Sequence, residues 1–173
     1  MSKAPDALRF INGYPAAVQQ QVQTLIAEGR LGAHLANRYP GRHAVQTDKA
    51  LNDYTQALKQ AGMRSAPPIH KVIYDGKLDV LRNALGLHSS ISRVQGSRLT
   101  AKSEIRIAAL FKTVAPEFLE MIVVHELAHL RHAAHDKGFY QLCQHLLPEY
   151  HQIEFDLRLL LILRELLPSN CRI

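Results

Sequence analysis

Met121-Ile-Val-Val-His125-Glu126-Leu-Ala-His129-Leu-Arg-His132-Ala-Ala-His135 is the stretch on which the reading of this 173-residue chain turns. On a helix, positions four apart differ by about 40° of rotation and one turn of rise, so His125 and His129 point the same way. Both can reach one metal ion. Glu126 lies about 100° round the helix, beside the metal's open side but not obliged to ligate it. A divalent metal lowers the pKa of its water towards neutrality, and a neighbouring carboxylate can pass that proton to a leaving group. The pattern therefore points to a zinc-dependent hydrolase, with His125 and His129 as ligands and Glu126 as base. Five residues of this length arise by chance in amphipathic helices, but here the surroundings oppose chance. Phe118, Leu119, Met121, Ile122, Val123, Val124, Leu127, Ala128 and Leu130 are apolar on nearly every face. Such a helix is expected to be buried, and buried imidazoles and carboxylates need strong partners. One metal ion satisfies all three.

For the third ligand His135 is favoured, because a histidine near the helix end is the shortest route to a three-ligand open site. His135 follows His129 after five intervening residues, the separation at which metzincins return a third histidine to zinc by way of a glycine turn. His132 stands where that glycine would be, so the turn has to be made differently, and no Met-turn is evident. Glu149 is the rival, at gluzincin distance, and Glu154 is a further candidate. His132 shares a face with His129, but a single ion rarely takes ligands from three successive turns; a solvated or supporting imidazole is the plainer expectation.

Outward from this helix the chain reads helical, then strand-like, then helical. Ala16–Glu28 carries Val18, Val22, Leu25 and Ile26 at helical spacing and stops at Gly29. Leu31–Arg38 is a shorter helix ended by Tyr39-Pro40-Gly41. Thr47 or Asp48 caps a third, through Leu51, Tyr54 and Leu58 to Gly62. Arg64-Ser65-Ala66-Pro67-Pro68 is the best linker candidate. Ile69–Tyr74, closed by the hairpin-type dipeptide Asp75-Gly76, Ser90–Val94 and Ser103–Ala109 are strand candidates, with Gln95-Gly96-Ser97 turning between the last two. Pro116 to about His132, Lys137–Leu147 and Glu149–Leu167 complete the pattern, with Pro116 suited to a first helical turn. The expected fold is α+β in a single domain over residues 1–173, with a helical N-terminal part over 1–64 and a hydrolase core over 65–173.

Composition narrows the class further. The chain is 47% apolar and 21% charged, which is ordinary for a globular protein. Lys3, Pro5, Asp6 and Arg9 leave no apolar signal region in the first ten residues, and Leu157–Leu167 is too short and too charged to span a bilayer. Cys143 and Cys171 make no disulfide framework. A cytoplasmic protein without a membrane partner is expected. The net charge of +6 comes from dispersed Lys and Arg. That distribution favours solubility, with weak, salt-sensitive nucleic-acid association as its further implication.

The segment Val123–Leu130 resembles the catalytic helix of SprT-like and WLM-like metallopeptidases, and His135-Asp-Lys-Gly-Phe139-Tyr140 is similar to their downstream His-x-x-x-Phe-aromatic continuation. More closely, the tracts Arg30-Leu-Gly, Arg38-Tyr-Pro-Gly41, Thr47-Asp-Lys-Ala-Leu51, Ala66-Pro-Pro-Ile69, Asn83-Ala-Leu-Gly-Leu87 and Pro148-Glu-Tyr-His-Gln152 resemble the YgjP-like family from Gly13 to about Leu159. The resemblance implies a zincin-like fold, a small β-sheet against the active-site helix with helical N-terminal and C-terminal parts. It also implies zinc on His125, His129 and His135, Glu126 as catalytic base, and a peptide or protein substrate laid along the Ser103–Ala109 edge strand. The wider family often carries Trp-Gly-Ser-Cys before that strand. Here Val94-Gln-Gly-Ser-Arg98 replaces it and Trp is absent, which alters the substrate side rather than the metal side.

A zinc metallopeptidase is thus the leading expectation, with Tyr140, His145 or Tyr150 as candidate donors to the oxyanion. A metal-dependent hydrolase of a nucleotide phosphoanhydride is the second, although no phosphate-cradling glycine loop or magnesium-binding carboxylate cluster is present. A zinc-containing nucleic-acid or protein adaptor is the third. Glu126 counts against it, because a purely structural site needs no base.

Overall fold

The structure, a computed structural model, describes residues 7–78 and 103–167. These residues form six α-helices and two strands: α1 Ala16–Ala27, α2 Leu31–Arg38, α3 Asp48–Gly62, β1 Lys71–Asp75, β2 Glu104–Ala108, α4 Pro116–Ala128, α5 Lys137–Leu146 and α6 Tyr150–Leu166. Short 3-10 turns occupy Leu8–Ile11 and Ala109–Lys112. The mixed helix-and-strand class matches the α+β expectation. The expected strand at Ser90–Val94 and the turn after it lie outside the described residues.

The chain divides into two compact units, one drawn from residues up to Gly41 and from His151 onward, the other from Arg42 to Tyr150. In the first unit, α1 ends as its glycine predicts. Gly29 takes φ +67°, and the Gly29 and Arg30 N–H groups bond the Ile26 and Leu25 carbonyls, which closes a Schellman cap. Within the same unit the buried Asp156 carboxylate accepts from the Tyr39 hydroxyl at 2.6 Å and pairs with Arg38 Nε at 3.1 Å. Burying a carboxylate is tolerable only with such partners.

The second unit holds the chemistry-bearing helix. Thr47 caps α3, its hydroxyl accepting from Ala50 N at 3.1 Å, and α3 packs on β1. Leu51 and Thr55 are its fully buried positions. The Arg64–Pro68 segment is part of this unit rather than a free linker. Ala66 and Ile69 are buried on either side of the two prolines, and Ser103 Oγ donates to the Pro68 carbonyl. Strands β1 and β2 pair in parallel, Lys71 opposite Glu104 through Asp75 opposite Ala108. Asp75-Gly76 does make a turn, with Lys77 N donating to Asp75 Oδ1 at 2.8 Å. The described partner of β1 is nevertheless the distant β2, because a two-residue turn sets local direction while a parallel pair needs a long crossover.

Helix α4 is enclosed by β2, α3, α5 and the Ala109–Lys112 turn. Nine of its thirteen residues are buried, His125 among them, which explains the absence of a polar stripe in its sequence. It is shorter than the sequence pattern suggests. The expected helix reached about His132, but the α-helix stops at Ala128 with His129 as its C-cap. The Arg131 and His132 N–H groups both turn back to the Ala128 carbonyl. Termination here is what frees the following residues to fold back towards the helix's own histidines.

Candidate metal centre

Three ring nitrogens converge at the end of α4. His125 Nε2 and His129 Nε2 are 3.2 Å apart, and His135 Nε2 is 3.1 Å from each. The first two come from successive turns of one face of α4. The third comes from the loop, one residue before Asp136, whose side chain caps α5 by accepting from Phe139 N at 2.8 Å. His135 is therefore delivered by the start of the next helix. No glycine turn is needed.

The donor set fits zinc. Nitrogens bound tetrahedrally at about 2.0–2.1 Å stand roughly 3.3 Å apart, close to the edges of this near-equilateral triangle. Protonation points the same way. His129 Nδ1 lies 2.9 Å from the His132 carbonyl oxygen, which can only accept, so Nδ1 carries the proton and Nε2 offers its lone pair to the centre. Burial, then the neighbouring His129 and His135, push the His125 pKa down to about 3. That ring is neutral throughout the physiological range, as a nitrogen donor to a metal has to be. Among the described residues, these three are the set of His, Cys, Asp and Glu side chains grouped closely enough to hold an ion.

The other candidates fall elsewhere. Glu149 is exposed at the turn before α6. Glu154 belongs to the other unit, where it pairs with Arg158 at 3.1 Å. His132 contributes its backbone carbonyl to His129, while its ring faces Asp136 at 3.7 Å. A Cβ on Gly138 would come within 2.7 Å of the His132 ring, so a larger residue there would displace it.

Phe139 enters the sequence reading only through the His-x-x-x-Phe-aromatic resemblance, which gives it no role. Its ring is fully buried, with its centroid 4.9, 4.6 and 4.8 Å from those of His125, His129 and His135. It forms an apolar floor beneath all three imidazoles and holds their rotamers by packing. That tract is the signal by which sequence points to it. Of the candidate oxyanion donors, His145 is exposed and Tyr140 lies with its ring centroid 6.3 Å from that of His135. Tyr150 is fully buried, with its hydroxyl 2.7 Å from His125 Nδ1, which places it on the side of that ring away from the three converging nitrogens.

Glu126 sits beside His125 on α4 with its side chain mostly shielded from water. Burial pushes its carboxyl up to about 7, a value suited to a group that takes and returns a proton near neutrality. This has a measurable consequence in the metal-free protein. A carboxyl raised from 4.5 to about 7 on folding contributes stability below pH 4.5 that is lost as pH rises through 7. Metal-free Glu126→Gln has no such proton to lose. It should exceed the wild type in denaturant stability above pH 7 by up to about 3 kcal/mol, with the gap closing below pH 4.5. A constant gap across that range would contradict the assignment of the shift to Glu126.

The profile of the YgjP-like metallopeptidase domain matches residues 33–159, which span the cluster, all of the unit that carries it and a smaller part of the other. The chain belongs to the YgjP-like family. This YgjP-like protein is also 59% identical over 152 residues to an Escherichia coli (strain K12) protein named UTP pyrophosphatase, covering 88% of this chain and 91% of that one. No solved structure matches it. The family and this relative make the YgjP-like protein a hydrolase, with a histidine triad able to hold a metal ion. No described helix is long and apolar enough to cross a membrane.

Proposed function

We propose that this protein is a zinc-dependent hydrolase of zincin-like fold that cleaves a phosphoanhydride bond in a nucleoside triphosphate, with UTP as the first substrate to test. The observation behind the catalytic part is the triangle of His125, His129 and His135 nitrogens beside the shielded carboxyl of Glu126. Similarity at 59% identity to the UTP pyrophosphatase supports the substrate class, and a net charge of +6 suits an anionic substrate.

The three imidazoles would hold the zinc, Phe139 and the buried Tyr150 keeping their rings in place. Zinc bound there would supply Lewis acidity, polarising the substrate oxygen and lowering the pKa of water towards neutrality. Glu126 takes the proton from the attacking water and delivers it to the leaving group. The positive charge of a metal favours the carboxylate form and so opposes the effect of burial on Glu126. Lewis-acid chemistry of this kind requires neither a glycine-rich phosphate loop nor a magnesium cluster, so the lack of both motifs does not count against a nucleotide substrate.

A peptidase is the second reading. It is favoured by the metallopeptidase description of the family and by the packing of β2 against α4, since a strand edge near the catalytic helix suits strand addition by an extended peptide. The same water, base and polarised oxygen would serve a scissile carbonyl. Zinc-loaded protein assayed in parallel on nucleoside triphosphates and on unfolded polypeptides separates the two. Release of phosphate or pyrophosphate from UTP, with intact polypeptides, is the expected result. Peptide cleavage without nucleotide turnover would replace it with the second reading.

A further inference from the structure

We infer that Tyr150 is a positioning residue for the metal centre, its hydroxyl oxygen serving as the acceptor that holds His125 in the Nδ1–H tautomer. This rests on the reading of the histidine cluster as a metal site. His125 can present a lone pair through Nε2 to an ion shared with the other two nitrogens only if Nδ1 carries the ring's proton. Nδ1 points away from the cluster and meets Tyr150 Oη at 2.7 Å. The Tyr150 oxygen therefore accepts.

The placement is rigid. Tyr150 is fully buried, its N–H bonds the Leu147 carbonyl at 2.9 Å, and its ring lies nearly parallel to that of His125, at an interplanar angle of 17°. The turn after α5 thus sets the height of the hydroxyl relative to α4. His129 receives the equivalent support from the backbone carbonyl of His132, which no side-chain substitution removes. His125 depends on a side chain for it. Since His125 is itself 3% exposed, water has little access to Nδ1 to take over the role if the hydroxyl is lost. The arrangement also gives Pro148-Glu149-Tyr150 a function that residue types alone do not suggest. Glu149, the acidic residue of that turn, faces solvent while the tyrosine supports the site.

Tyr150→Phe tests this, because it keeps the ring and removes one oxygen. The variant should match the wild type in metal-free thermal unfolding to within a few degrees. Its zinc affinity, measured by chelator competition, should fall about 10- to 100-fold, the range for loss of a partner behind a ligating histidine. Affinity within twofold of the wild type would overturn the proposal. A second measurement needs no variant. In zinc-loaded wild type with labelled histidine, nitrogen NMR should show His125 bound through Nε2 with a slowly exchanging Nδ1–H. Coordination through Nδ1, or a ring proton exchanging as fast as that of the exposed His145, would also overturn it, whether or not Tyr150→Phe folds. Failure of the wild type to bind zinc would remove the metal reading and this proposal together. Equal affinities in wild type and Tyr150→Phe would remove the proposal alone.

Discussion

Glu126→Gln should lower turnover by about two to four orders of magnitude, the scale expected for loss of a positioned general base, while zinc occupancy stays at the wild-type level. The substitution keeps the size and shape of the side chain. It leaves the three imidazole nitrogens, Phe139 and Tyr150 untouched, and Glu126 is not part of the group close enough to hold an ion. What it removes is the atom that accepts the water's proton. Kinetics on UTP and on an unfolded polypeptide, with zinc measured on the same samples, check both halves of the statement. A zinc-dependent activity left intact by Glu126→Gln would falsify the mechanism even with every ligand correctly named. Loss of zinc along with activity would show that Glu126 helps to hold the ion rather than to move the proton.

The second large effect concerns the ligands. His129→Ala and His135→Ala should each weaken zinc binding by about two to three orders of magnitude, and Glu149→Ala should leave it within twofold. Zinc sites in small peptides contribute about 10–16 kcal/mol over four ligands, so one ligand is worth roughly 2.5–4 kcal/mol. His129 and His135 each lie within 3.2 Å of both other nitrogens, whereas Glu149 is exposed. Competition with a chromogenic chelator ranks the three variants directly. If Glu149→Ala were weakened more than His135→Ala, the ligand set would have the gluzincin pattern and the loop after α4 would need another role.

Much of this protein is readable along one dimension. The spacing of His125 and His129 follows from helical periodicity, so their shared face was predictable without any tertiary information. The apolar residues around Glu126 foretold a buried helix, and burial is what raises that carboxyl towards neutrality. Helix limits marked by strong local chemistry also came through, such as Gly29 after α1, Thr47 before α3 and Pro116 at the start of α4. In each case a few adjacent residues satisfy or forbid a backbone hydrogen bond, and neighbours in sequence suffice to decide the outcome.

Other features depend on residues far apart in the chain. The apolar and histidine pattern runs on past Ala128, and nothing local announces that α4 stops there. Beyond that point the chain folds back, with the His132 carbonyl meeting the His129 ring and Asp136 capping the next helix. The parallel pairing of β1 with β2 is likewise a tertiary outcome, since Asp75-Gly76 governs only the turn it occupies. By sequence, Phe139 is one letter of a family-like tract and Tyr150 a candidate oxyanion donor, and neither position reveals a packing role. One lies beneath three imidazoles and the other behind His125 because α5 and the turn after it pack against α4. By itself, then, the sequence determined the chemistry available to this protein: two histidines and a carboxylate on one buried helix, with a third ligand to be found downstream. Tertiary structure decided which residue sits with them and which groups hold the rings in register, because hydrogen bonds and ring packing depend on distance in space.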